Sequence, residues 1–219
     1  MYKAVVFDVD GTLLDGTEGI IKSVKSTLEH FNLPPLNDER LLKFVGPPIQ
    51  NSCKEHLGMS SEEAQEFANY FRHQYASGDV FYARVYDGIF ELLDTLKRLN
   101  IRMGVATYKR QDYASDLMKH FGFDKYFTSI CGADNENKLK KIDIMKNCIA
   151  GLRVKKGDVL MVGDSLHDGG ASVELNVGFI GVTYGFGFKS KPEIEPYLPI
   201  CCADSPKEVQ EFFEKIYVK

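Results

Sequence analysis

Asp8-Val9-Asp10-Gly11-Thr12 ends a short apolar run with two carboxylates, a glycine and a hydroxyl. Alone, such a turn does no more than cap a helix. Three further polar clusters alter its meaning. Thr107 follows Gly104-Val105-Ala106; Lys138, Lys140 and Lys141 precede a helical stretch after Cys131; Gly163-Asp164-Ser165-Leu166-His167-Asp168 follows Val159-Leu160-Met161-Val162. Ligands of an open parallel sheet bind beyond the carboxyl ends of its strands, and all four clusters fall at such places. Carboxylates gathered in one crevice repel one another unless a hard cation joins them. Magnesium suits oxygen ligands and keeps positions for water or a substrate phosphate. One of the lysines would balance the remaining charge and hold the phosphate. The chemistry that uses this combination is phosphoryl transfer.

The elements that must position these groups can be read from periodicity. Tyr2 to Phe7 is apolar and β-branched, as a buried parallel strand is. From Gly16 to about Gly78 only helical spacing is found: Ile20, Val24, Leu28 and Phe31 first, then stretches near 38–45, 49–57 and 60–76. Ser60 with Glu63 forms a capping box. Beyond Gly78 strands and helices alternate. Asp87 is expected to cap a helix with the apolar face Ile89, Leu92, Leu93, Leu96 and Leu99. A strand over 101–106 follows, then a helix over 112–121, a strand over 127–131 and a helix over 142–152. Strands at 159–162, 178–182 and 200–202 precede a last helix with Ser205 as N-cap, Pro206 at its first position and Glu208 three residues on. This alternation predicts an α/β fold, a Rossmann-like parallel sheet with helices on both faces. The core would comprise residues 1–15 and 80–219, and an inserted α-helical cap domain residues 16–79.

Bulk composition narrows the partners. Lys plus Arg number 27 against 31 for Asp plus Glu, a net charge of -4 that offers no broad footprint for nucleic acid or an anionic membrane. No apolar run approaches the roughly 20 residues needed to span a bilayer, and the opening residues carry no signal-peptide core. Five cysteines (Cys53, Cys131, Cys148, Cys201, Cys202) show no CxxC spacing, which favours free thiols in a cytoplasmic protein over disulfides or zinc. A monomer or homodimer acting on a small molecule is expected.

Asp8-x-Asp10-Gly11-Thr12-Leu13-Leu14-Asp15 and Gly163-Asp164-Ser165-x-x-Asp168, in this order and each after an apolar strand, resemble the motifs of the haloacid dehalogenase superfamily, in its phosphatase branch with a helical cap. Phe44-Val45-Gly46-Pro47-Pro48-Ile49 and Val85-Tyr86-Asp87-Gly88-Ile89 resemble its phosphoglycolate-phosphatase-like members. The resemblance covers essentially the whole chain. It implies a magnesium-dependent phosphatase for a small phosphate monoester, such as phosphoglycolate, a nucleotide or a sugar phosphate. Asp8 would be the nucleophile that becomes an aspartyl-phosphate, and Asp10 the acid and then base that also lends its backbone carbonyl to Mg2+. Thr107, the Tyr108 amide and a lysine would bind the phosphoryl oxygens; Asp164 would ligate the metal, with Asp168 behind it orienting the lysine or a metal-bound water. Many relatives carry that lysine in Lys-Pro-x-Pro, a pattern missing here. By its spacing to Asp143, Lys141 comes first, then Lys140 and Lys138.

Other readings are weighed on the same residues. A phosphosugar mutase of the β-phosphoglucomutase kind shares all four motifs and differs in denying water to the aspartyl-phosphate. A receiver-like regulatory module also phosphorylates an Asp beside Thr and Lys, but it needs neither Asp10 nor a long insertion. His167 is read as a helix-start residue, because a hard oxygen site has little use for imidazole. Gly185-Phe186-Gly187 is read as a loop near the site rather than a dinucleotide fingerprint. Tyr70, Phe71, Tyr75, Phe81 and Tyr82 are read mainly as packing, and Arg72, Lys54 and Arg84 mainly as solvated cations.

Overall fold

A computed structural model of the chain describes residues 1–217. Its elements run β1 (Ala4–Phe7), β2 (Leu14–Asp15), α1 (Thr17–His30), α2 (Asp38–Leu42), α3 (Ile49–Leu57), α4 (Ser61–Ala76), β3 (Arg84–Val85), α5 (Ile89–Arg98) and β4 (Arg102–Arg110). They continue as α6 (Gln111–His120), β5 (Phe127–Ala133), α7 (Lys141–Leu152), β6 (Val159–Gly163), α8 (Leu166–Leu175), β7 (Gly178–Val182), α9 (Lys191–Ile194), β8 (Cys201–Ala203) and α10 (Pro206–Tyr217). Six strands form one parallel sheet in the order β5-β4-β1-β6-β7-β8.

β1 is the middle of this sheet because its side chains are apolar on both faces. Ala4, Val5, Val6 and Phe7 are all fully buried, and alternate residues point to opposite sides. Val5 and Phe7 pack with Leu92, Leu96 and Val209 from α5 and α10, whereas Ala4 and Val6 pack with Ile144, Met145 and Leu175 from α7 and α8. Burial of Phe7 alone contributes about 1.5–3 kcal/mol. The expected two-sided α/β core is therefore present.

Between β2 and β3 the chain is helical, as the cap prediction requires. α1 buries Ile20, Val24 and Leu28, and α4 buries Phe67, Phe71 and Tyr75. No helix among the described residues is long and apolar enough to cross a membrane.

Several details differ from the sequence reading. The helix expected to start at Asp87 is capped instead by Gly88 at φ +89°, with no side-chain cap, so a glycine in the left-handed region turns the chain where a carboxylate was expected to hold it. β4 runs on through Thr107 to Arg110, because the end of β5 pairs with it through Arg110 and Ala133. β2 and β3 are two-residue strands, too short for any periodicity, and they pair antiparallel at Leu14–Val85 and Asp15–Arg84. In the last helix Ser205 accepts from the Glu208 amide as expected, but the Glu208 carboxylate reaches back one residue further, to the Asp204 amide.

At α4 the capping box is complete: Ser60 Oγ accepts from the Glu63 amide at 3.3 Å and Glu63 Oε2 accepts from the Ser60 amide at 2.8 Å. Ser60→Ala is expected to lower stability by about 1 kcal/mol in chemical denaturation while leaving the core sheet intact.

Candidate active site

β1 and its two neighbours, β4 and β6, each bring a polar segment to the same edge of the sheet. Asp8 stands one residue beyond β1, and its amide still pairs with the Val162 carbonyl. Its Oδ1 accepts from the Val9 amide at 2.7 Å and lies 2.9 Å from Lys141 Nζ. Thr107 is buried on β4, and Asp164 follows β6 with 3% of its surface exposed. Asp8, Asp164 and Asp168 bring carboxylate oxygens within 4.8 Å of one another.

The lysine reaches them because of how α7 begins. Asp143 Oδ2 accepts from the Lys140 amide at 3.2 Å, which starts the helix at Lys141, and the Lys141 amide donates to Tyr108 Oη at 3.0 Å. Lys141 Nζ then lies between Asp8 and Asp168, 2.8 Å from Asp168 Oδ1. Lys140 is exposed at the N-cap and Lys138 pairs with Glu136, so neither joins the carboxylates. Burial alone would favour the neutral amine, yet Asp168 and Asp8 raise the Lys141 pKa above its usual value. Asp168 is itself fixed by Ser165, which donates through its amide at 3.1 Å and its hydroxyl at 2.6 Å. It therefore anchors the lysine.

Asp164 is oriented from a distant segment. Its Oδ2 accepts from the amides of Phe186 at 2.7 Å and Gly187 at 2.9 Å, so the glycine-containing loop beyond β7 serves as a carboxylate clamp. Glycine is needed on both sides of it. A Cβ on Gly11, at φ +75°, would stand 2.1 Å from Asp164 Oδ2, and one on Gly185 would stand 2.2 Å from the Gly11 carbonyl.

Two residues escaped the sequence reading. Lys109, two positions after Thr107, places Nζ 3.0 Å from Asp10 Oδ2 and 2.6 Å from Tyr75 Oη of α4. A lysine after a strand ordinarily reads as solvated; only the cap above it buries this one. Asp134 was missed as well. Its carboxylate accepts from the amides of Glu136, Lys138 and Leu139, closing the loop that leads to α7. The remaining candidates fall as packing or surface groups: His167 stands edge-on to Tyr108, Tyr70 stacks on His30, and Arg84 faces Glu18 at 3.8 Å. Arg72 donates to Asn135 and Gln50, and with Phe44, Phe71 and Asp10 it lines a cavity of about 70 Å³ under the cap.

Charge balance tests whether a metal fits. Asp8, Asp10, Asp164 and Asp168 are buried, and among the described residues Lys109 and Lys141 are the ammonium groups paired with them, two positive charges against four carboxylates. Burial, with Asp168 and Asp8 nearby, pushes the Asp164 carboxyl up to about 7. Asp8 and Asp10 are raised too, chiefly by burial. A divalent cation would supply the missing charge, and Asp8 and Asp164 present oxygens of the hard type such an ion prefers.

The haloacid dehalogenase-like hydrolase family model matches residues 5–182. A 5'-nucleotidase of Pseudomonas aeruginosa is 33% identical over 93% of this chain and 92% of its own length. A phosphoglycolate phosphatase of Chromobacterium violaceum is 29% identical over 84% of this chain and 86% of its own. Among solved structures, that of a predicted phosphatase from Clostridium acetobutylicum superposes with a TM-score of 0.91 at 35% identity, covering 98% of this chain and 99% of that one.

The raised Asp164 pKa has a measurable sign. Between its ordinary 3.8 and about 7, the unfolded chain has lost a proton that the folded one keeps, so in EDTA stability falls as pH rises across that window and then levels off. Added Mg2+, which must displace the proton, is expected to raise the melting temperature more at about pH 8 than at about pH 5. Asp164→Asn is expected to raise the metal-free melting temperature at neutral pH and to remove the response to Mg2+. An unchanged Mg2+ response in that variant would place the ion elsewhere.

Proposed function

The chain belongs to the haloacid dehalogenase-like hydrolase family, and from that premise we propose that it is a magnesium-dependent phosphatase releasing phosphate from a small monoester by way of Asp8. What supports this above all is the Asp8 carboxylate, held by Lys141 at 2.9 Å and grouped with Asp164 at the carboxyl end of the central strand.

In the first half-reaction Asp8 attacks phosphorus as the ester P–O bond breaks, and the leaving oxygen takes its proton from Asp10. In the second, Asp10 recovers a proton from water while the water oxygen attacks phosphorus. The Asp8–phosphate bond then breaks, and inorganic phosphate leaves. Thr107, the Tyr108 amide and Lys141 hold the phosphoryl oxygens throughout, and Lys141 offsets their charge. Magnesium, when held by Asp8, Asp164 and the Asp10 carbonyl, supplies the positive charge that lets buried carboxylates and a phosphate share one crevice. Asp168 keeps Lys141 in place. The cap, residues 16–79, covers the site and excludes bulk water during the transfer.

The leaving group is accommodated under the cap, in the cavity between Asp10 and Phe44, Phe71 and Arg72. Phosphoglycolate, nucleoside monophosphates and sugar phosphates therefore make up the substrate panel, and the similarity to a 5'-nucleotidase and to a phosphoglycolate phosphatase supports including the first two.

A phosphate-release screen over that panel with Mg2+ is expected to find multiple turnovers that EDTA abolishes. Asp8→Asn is expected to lower kcat by about a thousandfold or more. Full activity in Asp8→Asn would refute the mechanism. Bisphosphate-dependent isomerisation of a hexose phosphate without phosphate release would make the enzyme a mutase instead.

A further inference from the structure

Lys109 bonds to two groups that belong to different parts of the molecule. On the core side its Nζ lies 3.0 Å from Asp10 Oδ2. On the cap side it lies 2.6 Å from Tyr75 Oη, and 4.9 Å from the centre of the same ring. Tyr75 is buried in the last turn of α4, where Phe71 stacks on it at 5.4 Å and Tyr113 of α6 meets it edge-on at 5.7 Å. The lysine has little room to swing away, because its side chain is only 7% exposed and its amide donates to Thr107 Oγ1.

The pairing is selective. The buried ammonium groups divide the carboxylates, Lys141 taking Asp8 and Asp168 while Lys109 takes Asp10 alone. Asp10 uses only one oxygen in this contact. Among the described residues its Oδ1 is buried without a hydrogen-bond partner, and Asp10 lines the cavity under the cap together with Lys109 and Phe71. A buried, unpartnered carboxylate oxygen is costly unless a ligand group completes it.

We propose that Lys109 is a positioning residue for Asp10, gripping Oδ2 so that Oδ1 is presented to the leaving group, and that Tyr75 makes this grip depend on the cap being closed. The inference rests on the hydrolase reading given above and adds to it a route by which cap closure reaches the proton carrier. With the cap open, Tyr75 leaves and the ammonium loses one of its two partners. With the cap closed, the phenol hydroxyl and the carboxylate hold it from opposite sides. Lys109 moves no proton and touches no phosphate in this scheme.

The test uses leaving groups that differ in their need for a proton. An alkyl phosphate from the panel departs as a poor leaving group and needs the acid, whereas p-nitrophenyl phosphate departs as a stable anion and does not. Because kcat/KM covers only the steps up to departure, the two esters report on Asp10 as the acid. Lys109→Met is expected to lower kcat/KM by about tenfold or more for the alkyl ester and by less than about threefold for p-nitrophenyl phosphate, the pattern expected of Asp10→Asn in stronger form. Tyr75→Phe, which keeps the ring and removes the hydroxyl, is expected to show the same bias more weakly. Equal losses on both esters would reduce Lys109 to a structural ion pair and overturn the proposal. A double-mutant cycle of Lys109→Met and Tyr75→Phe in thermal melting tests the cap link without any turnover; strictly additive shifts would also overturn it. An inactive wild type across the panel would instead refute the hydrolase reading, while the melting cycle would still report on the Lys109–Tyr75 contact.

Discussion

Crowding of like charge at the carboxyl edge of one central strand sets the terms for everything else in this molecule. Among the described residues, four carboxylates are buried where only two ammonium groups pair with them. No arrangement of that kind is stable by itself, and the fold answers it at several levels. The sheet brings β4, β1 and β6 together so that their ends converge. Helix starts supply the lysine at α7 and the serine that fixes Asp168 at α8. Backbone amides from the loop beyond β7 hold Asp164. On the proposed function, the charge that the protein does not balance is what a divalent cation would neutralise.

The two lysines divide this work in a way that follows from where they sit. Lys141 belongs to the core and stands between Asp8 and Asp168, both of them core residues. Lys109 belongs to both halves, since one of its partners is a cap tyrosine. On the proposed mechanism the nucleophile is thus held by the core alone, and the proton carrier Asp10 by a lysine that also meets the cap.

Much of this was legible in the chain itself. The Asp8 and Asp164 turns follow strands so apolar that their burial could be read directly, and the spacing of Lys141 to Asp143 reflects how that helix starts. Helix α4 announces its own beginning through Ser60 and Glu63. Other features depend on contacts between residues far apart in sequence, and local pattern carries no trace of them. Lys109 is buried by Tyr75, 34 residues away. Gly185 is a glycine because of the Gly11 carbonyl. The last residues of β4 are extended because the end of β5 pairs with them. Asp87 misled because a carboxylate before a helix is a common cap, while the neighbouring Gly88 could make the same turn without one.

The two-rung ribbon of β2 and β3 carries one more implication. The chain leaves the core at Asp15 and returns at Arg84, and these residues are hydrogen-bonded partners. Topologically the six-stranded sheet meets only a hairpin stem there, whatever sits at its tip. Strand order and register of the six-stranded sheet are therefore set without the helical insert, which reaches Asp10 only through the Tyr75–Lys109 contact. An insert attached at so narrow a stem can be lengthened or rebuilt without disturbing the pairing of the sheet, provided that a partner for Lys109 is kept above Asp10.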